Sequence, residues 1–165
     1  MKSSEKQVII NNLQEQIDSF NHFYLADISG LNAENTSDLR RLCFSQEVKL
    51  VVVKNTLLRK ALENSGKDAS ELYDALKGNT SVMFTEQGNV PAKLIKEFSK
   101  KHKKPVLKAA YVEESVYVGA DQLDALVAVK SKNELIADVV ALLQSPMKTV
   151  LGQLQSGGNI IHGVL

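Results

Sequence analysis

Apolar residues recur at three- and four-residue steps in some stretches of this chain and cluster as short β-branched runs in others, and the two rhythms predict its elements. Residues 4–20 form a helix with Val8, Ile9, Leu13, Ile17 and Phe20 on one side. Phe23–Ile28 is a strand ending at the Ser29-Gly30 turn, and a helix follows from Ala33 to Ser45. The run Val48-Lys49-Leu50-Val51-Val52-Val53 is the strongest strand signal, being rich in β-branched residues. Asn55 or Thr56 caps the next helix, which carries Leu57, Leu58, Ala61 and Leu62 and fades at Ser65-Gly66. A short helix near 70–76 leads to Lys77-Gly78 and a strand from Thr80 to Phe84. Pro91 opens a helix to Lys101, since a first helical turn tolerates proline. Strands Val106–Val112 and Val116–Val118 make a hairpin around Glu113-Glu114-Ser115, and a helix near 121–128 follows.

The middle of the chain therefore reads strand-helix-strand, strand-helix-strand. That order predicts an α+β fold: a ferredoxin-like split βαβ domain of two layers, with an added N-terminal helix and a protruding C-terminal helix. In such a sheet the first and second strands run parallel, the third lies antiparallel between them, and the fourth pairs with the first. One sheet edge then gathers four loops: Ser29-Gly30-Leu31, Lys54-Asn55-Thr56, Lys77-Gly78-Asn79 and Lys103-Lys104-Pro105. All but the first supply a lysine, so the edge is a candidate phosphate-binding rim.

From about Ser131 the pattern changes to a repeat of eleven residues. Leu143, Leu154 and Leu165 share that spacing, as do Val139, Val150 and Ile161. Eleven residues make about three helical turns, so the repeat returns to nearly the same face. The stripe of Val139, Val140, Leu143, Met147, Val150, Leu151 and Leu154 is longer than one domain face would cover, and it predicts a docking rod for partner helices. Pro146 and Gly157-Gly158 divide this rod into modules with expected bends between them. The domain division expected is 1–130 for the globular part and 131–165 for the rod. The plainer alternative is a rod folded back on the body.

Composition changes this picture in one respect. The net charge of +1 over 165 residues argues against nucleic acid only if charge is spread evenly. Between Lys93 and Lys108 seven lysines face the single acid Glu97, a local excess of six that leaves about −5 for the remainder. A single cysteine, Cys43, excludes an intrachain disulfide, and its place beside Leu39 and Leu42 predicts core packing. No run approaches 18 consecutive apolar residues, so no membrane span is expected.

Candidate chemistry is sparse. The segment Lys54-Asn55-Thr56-Leu57 ends a strand and opens a helix whose first N–H groups would face phosphate, with Arg59 one turn on. The plainer reading is a capped helix beside a solvated lysine. The three histidines lie far apart, and no GxxxxGK[ST], HExxH or CxxC motif is present. No catalytic residues, metal ligands or cofactor are expected, and an enzyme using Lys54 as base or phosphate clamp is the weaker rival.

Several segments carry a resemblance: Tyr24-Leu25-Ala26-Asp27-Ile28-Ser29-Gly30-Leu31, Leu39-Arg40, Val52-Val53-Lys54-Asn55-Thr56-Leu57-Leu58, Leu76-Lys77-Gly78 and Ser131-Lys132-Asn133-Glu134-Leu135. Read in this order, the chain resembles the bacterial ribosomal stalk-base family, the tenth protein of the large subunit. Asn35 and Thr36 stand where that family more often has a charged and an aliphatic residue. The resemblance implies a cytoplasmic, ribosome-bound protein without enzymatic activity. Its globular part would bind large-subunit ribosomal RNA beside the eleventh protein. Its terminal helix would carry two or three dimers of the acidic stalk protein, which recruit translational GTPases. The implied RNA contacts are Ser29, Gly30, Lys54, Asn55, Thr56, Arg59, Lys77, Gly78 and Asn79. The implied dimer contacts are Val139, Val140, Leu143, Met147, Val150, Leu151, Leu154, Ile161 and Leu165. A free-standing RNA-binding regulator with a dimerising tail is the alternative.

Overall fold

A computed structural model describes residues 3–67 and 70–164, with the side chains of the last helix described as far as Leu154. The elements run α1 (Ser3–Ser19), β1 (His22–Asp27), α2 (Ala33–Ser45), β2 (Lys49–Val53), α3 (Asn55–Ser65), α4 (Leu72–Ala75), β3 (Thr80–Thr85), α5 (Val90–His102), β4 (Val106–Val112), β5 (Ser115–Val118), a 3-10 turn (Ala120–Gln122), α6 (Leu123–Ala128) and α7 (Lys132–Val164). They fall into two compact units, Met1–Val129 and Lys130–Leu165.

In the first unit the strand order is β2-β3-β1-β4-β5, and every neighbouring pair is antiparallel. The first four strands have the expected split βαβ arrangement, and β5 extends it as a hairpin. Alternation along β1 explains the layers. Phe23 and Leu25 join one buried cluster with Leu13, Ile17, Leu58 and Leu62 of α1 and α3. Tyr24 and Ala26 join the other, with Leu39 and Cys43 of α2 and Leu94, Ile95 and Phe98 of α5. Both faces of the sheet are thus covered, so the expected two layers become three. The added layer exists because α1, α3 and α4 all present apolar sides to the face opposite α2 and α5.

Two local expectations are corrected. Val8 is 57% exposed, while Ile10 is buried and Ile9 packs partly buried beside it, since three consecutive residues span about 200° of a helix and cannot all face inward. Lys54, not Asn55 or Thr56, is the N-cap of α3, with no side-chain cap hydrogen bond. In the second unit, α7 is one uninterrupted helix of 33 residues, about 50 Å of helical rise, that continues through Pro146 and Gly157-Gly158.

Candidate nucleic-acid interface and partner-binding helix

Strand register places the predicted rim. Val53 ends β2 opposite Thr80, the first residue of β3, and Asp27 ends β1 opposite Val106 at the start of β4. The loops that follow β2 and β1 and precede β3 and β4 therefore line one sheet edge, about 14 Å across at the usual strand spacing. Lys54, Thr56, Lys77, Gly78, Asn79 and Gly30 are exposed there, while Ser29 and Asn55 are half-buried. Gly30, with φ +85°, allows the turn in which the Leu31 N–H returns to the Ile28 carbonyl at 3.5 Å.

The rim is shaped by its own hydrogen bonds. Asp27 accepts from the Ser29 N–H at 2.9 Å and from Lys104 Nζ at 3.1 Å, so the one loop without a lysine supplies an acid that engages a neighbouring lysine. Desolvation pushes the Asp27 carboxyl up, but the Ser29 hydroxyl and N–H and the Lys104 ammonium outweigh it and hold the group down at about 2. Asn55 Nδ2 donates to the carbonyls of Leu76 at 2.9 Å and Gly78 at 2.6 Å, tying the α3 start to the turn before β3. Arg59 turns away from the loops: Nε donates to Glu63 Oε1 at 3.0 Å, and the guanidinium lies 5.0 Å from the Tyr73 ring centroid. Lys54 and Lys77 remain as exposed cations without an ion pair among the described residues. Sequence reasoning missed Lys108, whose Nζ donates to the carbonyls of Lys77 and Asn79, each at 2.5 Å. Its signals were its place at the end of the lysine-rich stretch and its interruption of an apolar strand.

Among the described residues, the far edge of the sheet carries no reactive arrangement. An open depression of about 800 Å³ there is lined by His22, Lys67, Tyr111, Glu113 and Glu114. His22 Nδ1 accepts the Glu113 N–H at 3.2 Å, and Lys67 Nζ donates to the Ile17 carbonyl at 2.5 Å, so these polar groups bond to the fold itself. Burial pushes the Cys43 thiol up to about 11, which leaves it an inert core residue. Among the described residues no three metal-binding side chains come together.

Along α7, Val139, Val140, Leu143, Met147, Val150, Leu151 and Leu154 are all exposed, Leu143 and Met147 each by 69%. The side chain of Ile161, and Leu165 altogether, lie outside the described residues. Lys132–Leu154 is also long and apolar enough to cross a membrane, by length and composition only. Counting consecutive apolar residues misses this because Asp138, Gln144, Ser145, Lys148 and Thr149 break the stretch into short runs.

A family model described as Ribosomal protein L10 matches residues 1–100. The chain belongs to the ribosomal protein L10 family. Similar proteins include the large ribosomal subunit protein uL10 of Christiangramia forsetii, 58% identical over all of this chain and 95% of its own length. The uL10 of Flavobacterium johnsoniae is 50% identical over 94% of this chain and 93% of its own. That of Salinibacter ruber is 34% identical over 98% and 92% respectively. Family membership makes this a bacterial large-subunit ribosomal protein, cytoplasmic and ribosome-bound, and not an enzyme.

Proposed function

We propose that the protein forms the base of the large-subunit stalk. Its first unit binds large-subunit ribosomal RNA through the rim, beside the neighbouring eleventh protein. Its α7 anchors two or three dimers of the acidic stalk protein, which in turn recruit translational GTPases. The observation that carries this reading is the uncovered stripe of α7. A soluble helix holds so many large apolar side chains in water only where another surface is meant to cover them. The eleven-residue spacing supports repeated protein seats, since a bilayer would ask for apolar character on every side.

The rim supports RNA because two cations, Lys54 and Lys77, flank an open helix start where phosphate is favoured. Lys54→Ala with Lys77→Ala should weaken binding to large-subunit ribosomal RNA and lower the salt slope by about 0.7–0.9 per lost contact. An unchanged slope would remove both from the interface. Leu143→Asp with Met147→Asp in the full chain should abolish capture of acidic stalk dimers and leave RNA binding intact. Dimer capture that survives, or binding to neutral phosphatidylcholine vesicles in its place, would overturn the role given to α7.

A further inference from the structure

The turn between α4 and β3 is held from behind by two side chains from different elements. Asn55 takes the carbonyls of Leu76 and Gly78, and Lys108 takes those of Lys77 and Asn79, with Thr80 Oγ1 at 3.3 Å. Four consecutive carbonyls are thus claimed alternately by an amide and an ammonium. Lys108 is available for this because it is the extra residue of a bulge: Leu25 faces Ala109 and Ala26 faces Leu107, which leaves it without a partner on β1. The orientation of Asn55 is equally determined. Two carbonyl acceptors admit only its NH2 group, which leaves Oδ1 buried without a hydrogen-bond partner.

In a trans peptide, each N–H points away from the carbonyl of the residue before it. Holding the carbonyls of Leu76, Lys77 and Gly78 inward therefore turns the N–H groups of Lys77, Gly78 and Asn79 outward. Among the described residues, none of these three donates to a backbone or side-chain acceptor. Gly78, at φ +73°, supplies the left-handed step that the turn requires. Successive outward N–H groups around such a step make a concavity that favours an anion, and the Lys108 charge behind it adds to the potential.

We propose that Lys108, together with Asn55, is a positioning residue of the RNA-binding rim, gripping the Leu76–Thr80 turn by its carbonyls so that its N–H groups meet a phosphate. This rests on the ribosomal RNA reading above and amends it in one respect: Asn55 shapes the rim and does not touch the nucleic acid. The ligand chemistry is a phosphate group, supplied by an RNA backbone or by a free ion.

The test is an amide-shift titration of the isotope-labelled full chain, first with inorganic phosphate and separately with large-subunit ribosomal RNA. In the wild type, both ligands should move the amides at positions 77–79. Lys108→Met should weaken that phosphate response on the order of tenfold, the scale of a lost charged hydrogen bond, while other amides and Tm stay unchanged. Should Lys108→Met perturb the fold, Gly78→Ala serves instead. A Cβ there would meet only Lys108 Nζ at 3.9 Å, so the change removes the left-handed step without a clash and should bring the same loss. A wild-type protein whose positions 77–79 ignore phosphate, or variants that respond like it, would overturn the inference whatever RNA does. RNA that binds without moving those amides would overturn the turn as its contact. Failure to bind ribosomal RNA at all would instead sink the function proposed above, and with it the RNA source of the phosphate.

Discussion

Ser131 and Glu134 cap the start of α7 reciprocally: the Glu134 N–H donates to Ser131 Oγ at 3.2 Å, and the Ser131 N–H donates to Glu134 Oε2 at 2.9 Å. Two of the N–H groups that a helix start leaves unsatisfied are thereby bonded, one by each side chain. The pair sits at the boundary between the two units and gives α7 a defined first turn, independent of any partner.

Ser131→Ala should therefore cost α7 about 1 kcal/mol of local stability. Amide hydrogen exchange of residues 132–136 should accelerate by roughly fivefold for that energy, while the Tm of the first unit stays unchanged. Unaltered exchange would mean that the cap does not hold the first turn in solution.

The rim should weaken in acid before the core does. The Asp27 carboxyl lies at about 2 in the folded protein and near 3.9 when unfolded, so the unfolded chain binds the proton more readily. The stabilisation is complete above about pH 4 and fades as the pH falls through about 2. It amounts to roughly 1–2 kcal/mol. Asp27→Asn should flatten the pH dependence of unfolding over that interval. Denaturant melts at pH 2.5 and pH 6 would check this, and equal pH dependence in both proteins would refute it.

The β4–β5 hairpin turns on Glu113 and Glu114, which hold φ of 51° and 63°. Two positive φ values suit the two-residue hairpin turn, but Asn-Gly adopts them far more readily than a pair of glutamates. Glu113→Asn with Glu114→Gly should raise stability by about 1 kcal/mol and Tm by a few degrees. The Glu113 N–H bond to His22 is made by main chain and should survive the change. A lower Tm would show that the glutamate side chains stabilise the turn in some other way.

Much of this was legible because the local signals were unambiguous. The β-branched run of β2 and the amphipathic α3 emerge within a residue or so of their expected bounds. The rim loops followed from strand order alone, since topology decides which loop ends share an edge. What the sequence hid were contacts set by tertiary packing. Val8, Ile9 and Ile10 are consecutive, so periodicity could not say which of them would be buried. The bulge that frees Lys108 has no marker in Leu107-Lys108-Ala109, and the Asn55 amide looked like a helix cap until the turn beneath it was known. The helix through Pro146 shows the same limit: one lost N–H bond is a local cost that a long helix can absorb.

The spacing along α7 also fixes an angle. At about 100° per residue, eleven positions come to some 20° more than three complete turns, with an advance of about 16 Å. Equivalent attachment points consequently climb a gentle spiral staircase. Guests of identical make, mounted on successive steps, would fan outward in different compass directions and sweep a wider sector of the surrounding solution than any straight rank could.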